Sequence, residues 1–168
     1  MNALTDKDRA ILQRRQERLA RRGTGNVVRR VADRVAVVSV GGERFGIPAQ
    51  GTLEIIPMPP VTRLPRMSAW MRGMTQIRGE LVAVVDLASW FGMARSAERG
   101  CLVLVEGSAG ALGLGVERVL GFRDVYADEL PAAPPERVDN RPIQAVTHDL
   151  MAILDLRALL NHADLIRA

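Results

Sequence analysis

One run of seven residues occurs twice in this chain. Leu81-Val82-Ala83-Val84-Val85-Asp86-Leu87 aligns without a gap on Leu150-Met151-Ala152-Ile153-Leu154-Asp155-Leu156, 69 positions later. A second echo, Phe45-Gly46-Ile47 with Leu112-Gly113-Leu114, is offset by 67. In each copy an apolar stretch of strand length meets an aspartate, whose carboxylate suits the cap of a short helix. In each half a hairpin precedes that strand. The near-constant offset predicts two related small β barrels or curled sheets in one mainly β body. The 168 residues sit near the size of one domain, with 48% apolar and 25% charged residues, an ordinary globular balance.

Local signals fill in the body. Val35-Ala36-Val37-Val38-Ser39-Val40 reads as a strand, Gly41-Gly42 as a tight turn, and Arg44-Phe45-Gly46-Ile47 as the return strand. Pro57, Pro59, Pro60 and Pro65 mark a rigid connection, and Trp70-Met71 a short helical turn. Arg78-Gly79 is a second hairpin turn, between Met74–Ile77 and Leu81–Val85. Asp86 caps a short helix over Leu87–Phe91 that Gly92 ends. Strands follow at Cys101–Glu106 and Ala111–Val116, through Gly107-Ser108-Ala109-Gly110. Residues 127–141, with three prolines, read as loop. Strands near Ile143–Val146 and Leu150–Leu154 then precede a helix capped by Asp155.

Residues 1–30 differ in kind from residues 31–168. They hold Lys7 and eight arginines against Asp6, Asp8 and Glu17, a net +6, whereas the remainder carries −2. The first valine is Val27. Thr5 and Asp8 fit a capping box, and Gly23 a helix stop, which predicts a helix over about 6–22. Its apolar stripe of Leu4, Ile11, Leu12 and Leu19 is too narrow for a core helix. Leu12, Leu19, Arg14 and Arg18 are its candidate interaction residues. Nucleic acid, anionic membrane or a polar protein complex are the alternatives for such an arm, nucleic acid being the least expected, and steep salt dependence would mark the first two.

Catalytic chemistry needs convergent polar groups, and the sequence offers none. It has no P-loop, no glycine fingerprint between a strand and a helix, and no nucleophile elbow, since Glu106 stands where the elbow needs glycine. His148-Asp149 reads as an exposed turn, and Cys101 as a buried inert thiol. One cysteine excludes an internal disulfide and a Cys-based zinc cluster, and with only two histidines no His-rich metal site is expected. No cofactor, metal or small-molecule substrate is expected. Apolar runs such as Leu81 to Val85 are far shorter than the roughly 20 residues of a membrane span, and the N-terminus lacks an apolar signal core, so a cytoplasmic location is expected.

From Val37 to Phe91 the chain resembles the CheW-like family of bacterial chemotaxis adaptors. The match runs through Phe45-Gly46-Ile47, Glu54, Pro57 and Val61-Thr62-Arg63-Leu64-Pro65. Its most specific part is Trp70-Met71-Arg72-Gly73-Met74-Thr75-Gln76-Ile77-Arg78-Gly79-Glu80-Leu81-Val82-Ala83-Val84-Val85-Asp86-Leu87. Leu114 to Gly121 and Ile153-Leu154-Asp155-Leu156 agree more loosely. Gln76 stands in place of the family's Asn, Ala83 in place of Pro, and Glu117 in place of Asp.

The resemblance implies two five-stranded β barrels sharing an apolar core, over about residues 35–162. It implies a non-catalytic adaptor between chemoreceptor cytoplasmic tips and a CheA-type histidine kinase, recruited to membrane-associated receptor arrays. Receptor contact would fall on Thr52, Glu54, Gly73 and Arg78; kinase contact would fall on turns of the second barrel, with no residue carried over. Each candidate also has a plain structural use. Gly73 and Gly79 suit turns, Glu54 a rim charge, and Arg78 an internal pair with Glu54 or Asp86. Trp70 and Trp90 suit the sealing of a barrel end.

Overall fold

The computed structural model describes residues 29–94, 100–107, 110–131 and 142–161. The expected helix at 6–22, the linker after it, and Ser108-Ala109 lie outside those residues. The body is mainly β, as expected, with ten strands in two five-stranded sheets among the described residues.

In chain order the strands are β1 (Val31–Val40), β2 (Glu43–Pro48), β3 (Thr52–Pro57), β4 (Met71–Ile77) and β5 (Glu80–Asp86). The second set is β6 (Cys101–Gly107), β7 (Gly110–Val116), β8 (Arg118–Tyr126), β9 (Ile143–Val146) and β10 (Ala152–Leu154). Helix α1 (Leu87–Trp90) follows β5, and α2 (Leu156–Leu160) follows β10. One sheet is ordered β8-β1-β2-β10-β9 and the other β3-β6-β7-β5-β4. Exchanging each strand for the one five places away converts either order into the other.

The internal repeat is thus written into the hydrogen bonding. β5 runs parallel to β7, with Ala83 opposite Leu112 and Val85 opposite Leu114. β10 runs parallel to β2, with Ala152 opposite Phe45. These pairs are the two sequence echoes, at offsets of 69 and 67. Each half therefore lends strands to the other half's sheet, and the halves are not separable units.

Three apolar clusters follow from this arrangement. The central one joins both sheets through Val38, Val40, Phe45, Ile47, Val85, Leu87, Val103, Leu114 and Leu154, all buried. A second cluster of Val35, Val125, Ala145, Met151 and Ile153 fills the other face of the first sheet. A third, of Val82, Val84, Leu102 and Leu104, does so for the second sheet. Burial on both faces explains why the strands read as continuous apolar runs, not as alternation. Phe45 stacks on Phe91 at 5.0 Å between centroids. Trp70 meets Trp90 edge to face at 4.6 Å, and both pack on the central cluster.

The two aspartates cap as the sequence predicts. Ser89 N donates to Asp86 Oδ1 at 2.9 Å, and Ala158 N to Asp155 Oδ1 at 2.9 Å. Gly92, at φ 74, ends α1. Both predicted hairpin turns form. Arg78 (φ 50) and Gly79 (φ 90) are both left-handed, as the two-residue turn between paired Ile77 and Glu80 requires.

Several expectations need correction. The strand expected from Leu150 begins at Ala152, with Leu150 itself in a left-handed turn at φ 61, and Pro57 is the last residue of β3 and not part of the connection. Met71 is not in a helical turn but is the first residue of β4; its N–H donates to Ser68 O at 3.0 Å. The loop from Ala127 begins as a short 3-10 turn, Ala127–Glu129. Cys101 is half-buried at the edge of the central cluster, not fully buried.

Candidate partner-binding site

The free edges of each sheet are drawn together by polar contacts. In the second sheet the edges are β3 and β4. Thr62, in the connection after β3, exchanges two backbone hydrogen bonds of 2.8 Å with Met74 of β4. Thr75 Oγ1 donates to Pro60 O at 2.8 Å. Farther along, Arg78 Nη2 donates to Glu54 Oε1 at 2.9 Å, which ties the β4–β5 turn to the middle of β3.

Thr52 and Glu54 on β3, Gly73 on β4 and Arg78 in the β4–β5 turn thus border one seam. Glu54 and Arg78 meet directly, the pairing with Glu54 being one of the two considered for Arg78. The Arg78 side chain is 79% exposed, so most of its donors face solvent. Leu53, just before Glu54, and Leu81, three residues beyond Arg78, are both exposed. Thr52 opens β3, and its hydroxyl donates to Pro48 O at 2.7 Å.

Gly73 has a local task. Its φ is 146, and a Cβ there would stand 2.3 Å from Thr62 O. Only glycine lets the connection lie this close over β4.

The sequence did not single out the corresponding seam of the first sheet. There Arg29 Nη2 reaches Asp128 Oδ1 and Glu129 Oε1, each at 3.0 Å, and lies 4.1 Å from the Tyr126 ring centroid. Arg123 of β8 bridges Glu129 and Asp149. Arg44 joins the Asp149 carboxylate at 3.3 Å, and Thr147 Oγ1 donates to its Oδ1 at 2.6 Å. The Arg29 hydrogen bond pulls the Asp128 carboxyl below its ordinary range. The Thr147 hydroxyl, aided by Arg123 and Arg44, does the same for Asp149. Arg123 occupies the place that Ile56 holds in the other half, so offset alone gives no hint of a charge.

Asp86 and Arg72 form a further pair, at 3.6 Å and largely buried. Glu117, one of the departures from the family pattern, clamps the first hairpin. Its carboxylate accepts from Ser39 Oγ at 2.8 Å and from Gly41 N at 3.1 Å. Gln76, another departure, keeps a turn contact by donating to Gly79 O at 3.4 Å.

Among the described residues no group of three or more His, Cys, Asp or Glu is placed to hold a metal. An open cleft of about 840 Å³ lies between the sheets, lined by Asp33, Gln50, Glu106, Gln144 and Arg157 among others. No helix among the described residues is long and apolar enough to cross a membrane. Leu12, Leu19, Arg14 and Arg18 lie outside the described residues.

A family profile described as CheW-like domain matches residues 34–164. FrzA of Myxococcus xanthus is 35% identical over 99 residues, 57% of this chain and 61% of FrzA. A probable chemotaxis protein CheW of Rhizobium etli is 26% identical over 132 residues, 74% of this chain and 85% of that protein. PilI of Pseudomonas aeruginosa is 30% identical over 98 residues, 55% of each chain. The chain thus spans little more than half the length of FrzA and PilI. The fold is similar to that of the scaffolding protein TtCheW from Thermoanaerobacter tengcongensis. The TM-score is 0.64 at 20% identity, covering 73% of this chain and 88% of that one.

Proposed function

The chain belongs to the CheW-like domain family of chemotaxis-type signalling adaptors, and we propose that it couples chemoreceptors to a CheA-type histidine kinase without catalysis of its own. The observation that carries this reading is the β3–β4 seam, where the largely exposed Arg78 pairs with Glu54, and Leu53 and Leu81, close to them along the chain, are exposed. Apolar side chains at such a surface supply contact area, and a fixed charge pair sets register. Glu54 accepts one bond from Arg78 and so holds the guanidinium toward solvent, with donors left for acceptors on a receptor helix. Thr52 and Gly73 shape the same border. The protein then acts in the cytoplasm, at receptor arrays on the membrane.

The test uses purified full chain with receptor cytoplasmic fragments and CheA-type kinase from the same organism. We expect binding to both partners, and receptor-dependent kinase activation that requires this protein. Arg78→Ala should weaken receptor binding while changing stability by less than about 0.5 kcal/mol, as exposed substitutions do. Absence of binding to either partner class would overturn the reading. A large loss of stability in Arg78→Ala would remove Arg78 from the site.

We further infer that the segment before Asn26 acts as a separate interaction segment, on the strength of Lys7 and six arginines against Asp6, Asp8 and Glu17. A shortened chain that begins at Asn26 should keep the melting transition of the full protein and lose only the segment's own binding. A fall of many degrees would show that the segment is structural instead.

A further inference from the structure

The internal repeat supplies its own control for the open cleft. Arg72 stands in a bulge of β4, between Met71 opposite Val85 and Gly73 opposite Val84. Gln144 stands in the matching bulge of β9, between Ile143 opposite Leu154 and Ala145 opposite Ile153. A bulge re-aims the side chain it carries. In the second sheet it brings Arg72 Nη1 to 3.6 Å from Asp86 Oδ2, with both side chains largely buried. The end of that sheet is filled: a Cβ on Gly115 would stand 3.2 Å from Met58 Cε and 3.9 Å from Arg72 Nη1.

The first sheet keeps the aspartate and lacks the guanidinium. Asp155 holds the place of Asp86, Pro48 that of Gly115, and an exposed Gln144 that of Arg72. All three line the cleft of about 840 Å³, whose walls are built by described residues alone. Its charged members are Asp33, Glu106 and Asp155 against Arg157. Ala158 N takes one oxygen of Asp155, and Arg34 N one of Asp33. A second oxygen remains on each, together with the whole Glu106 carboxylate, and among the described residues none of the three is in an ion pair.

A supply of guanidinium is tethered beside this cleft. Ala32 and Asp33, near the start of β1, form part of its wall. A few residues upstream, the segment before Asn26 holds Arg9, Arg14, Arg15, Arg18, Arg21 and Arg22. A short tether gives that segment a high effective concentration at the cleft. We propose that the cleft is a guanidinium site, filled by an arginine of the chain's own segment before Asn26, which seats on Asp155 as Arg72 seats on Asp86. The planar fork of arginine bonds a carboxylate and the side-chain oxygen of Gln50 or Gln144 together, a match that an ammonium lacks. This seating rests on the segment's being an interaction element, and gives it a partner within the chain. An ion pair so open to water is weak and salt-sensitive, so it exchanges readily and adds little to the stability of the body.

Backbone NMR of the full chain at low salt tests this independently of receptor or kinase binding. Serine in place of all six arginines should shift the amide signals of Gly107, Gln144 and Ala158. In that six-serine chain, acetyl-arginine amide at millimolar concentration should move the signals back toward their wild-type positions, and acetyl-lysine amide should do so less. Asp155→Asn keeps an oxygen for the cap and loses the charge, so it should weaken the response to the arginine probe roughly tenfold. Gln144→Arg supplies the guanidinium from the bulge itself, so its cleft signals should no longer respond to the six serines. Cleft signals in wild type that ignore the six serines overturn the proposal. If those signals still move with the free arginine probe, the cleft belongs to an arginine from elsewhere, which overturns it equally. A Gln144→Arg chain that responds as wild type does also overturns it. Should Gln144→Arg fail to fold, Asp155→Asn decides the matter: an undiminished response to the probe there refutes the seat on Asp155.

Discussion

Replacing Asp86 by alanine should cost several times more stability than replacing Asp155, although the two stand at equivalent places in the repeat. Each carboxylate caps a short helix through one backbone N–H at 2.9 Å. Loss of such a cap costs about 1 kcal/mol. Asp155→Ala should lose that amount and little else. Asp86 is fully buried and also faces Arg72, whose side chain is 10% exposed, at 3.6 Å. Removing one partner of a buried ion pair costs about 3–5 kcal/mol, because the remaining charge is left in a poor environment. The long separation favours the lower end, so Asp86→Ala should lose about 4 kcal/mol in all.

At this chain length 1 kcal/mol moves the melting temperature by about 2–4 °C. Asp155→Ala should therefore melt a few degrees low, and Asp86→Ala about 10 °C low. Urea titrations would give the free energies, with unchanged slopes if both states keep their compactness. Asp86→Asn should fall between the two, since its side-chain oxygen still accepts from Ser89 while the charge is gone. Arg72→Met added to Asp86→Ala should recover part of the loss, as it removes the buried charge that faced the carboxylate. Equal costs for the two alanine variants would refute the assignment of a buried pair to Asp86 and Arg72.

Gly73→Ala should destabilise the chain by about 3 kcal/mol, since its methyl would press on Thr62 O in a backbone conformation that side chains rarely adopt; a melt that matches wild type would contradict the close approach. Asp149 has a folded-state pKa below its unfolded value, so its contribution is present above about pH 4 and is lost as pH falls through the lower folded value. Asp149→Asn should accordingly be less stable than wild type near neutrality, and the gap should close in acid. A gap that widens on acidification would reverse the sign of that coupling.

Much of the fold is local and therefore legible. Gly41-Gly42 and Arg78-Gly79 name their turns because two successive left-handed residues are rare elsewhere. Asp86 and Asp155 name their helices because a buried strand seldom ends on a carboxylate without a cap to make. β8 is harder to see. Arg118 to Tyr126 mixes charged and apolar residues with no clean period, since the bulge at Leu120 shifts the faces and Arg123 turns inward to an ion cluster. The residues of that cluster come from separate stretches of the chain, from Arg29 to Asp149, and only the closed seam brings them together. At the other seam, the resemblance supplied Glu54 and Arg78, while their contact needed the fold.

The exchange of strands between halves lies deeper still. The run in β5 and the run in β10 are alike, as are β2 and β7, so local preference is equal for pairing within a half or across halves. What separates the two outcomes is the path of the chain. Only Ala49 to Gly51 separate β2 from β3 in the other sheet, and Glu117 alone separates β7 from β8. The first crossing is pinned by Thr52 Oγ1 on Pro48 O and by Thr52 N on Ala49 O. The second is pinned by Glu117, whose backbone N–H donates to Ser39 O while its carboxylate holds the Gly41-Gly42 turn. With crossings this short, β2 has left its sheet before the first copy of the repeated run is reached. Its parallel neighbour is then supplied by the second copy, β10. The apolar pattern decides that these segments are strands, and two brief, hydrogen-bonded crossings decide which strands meet.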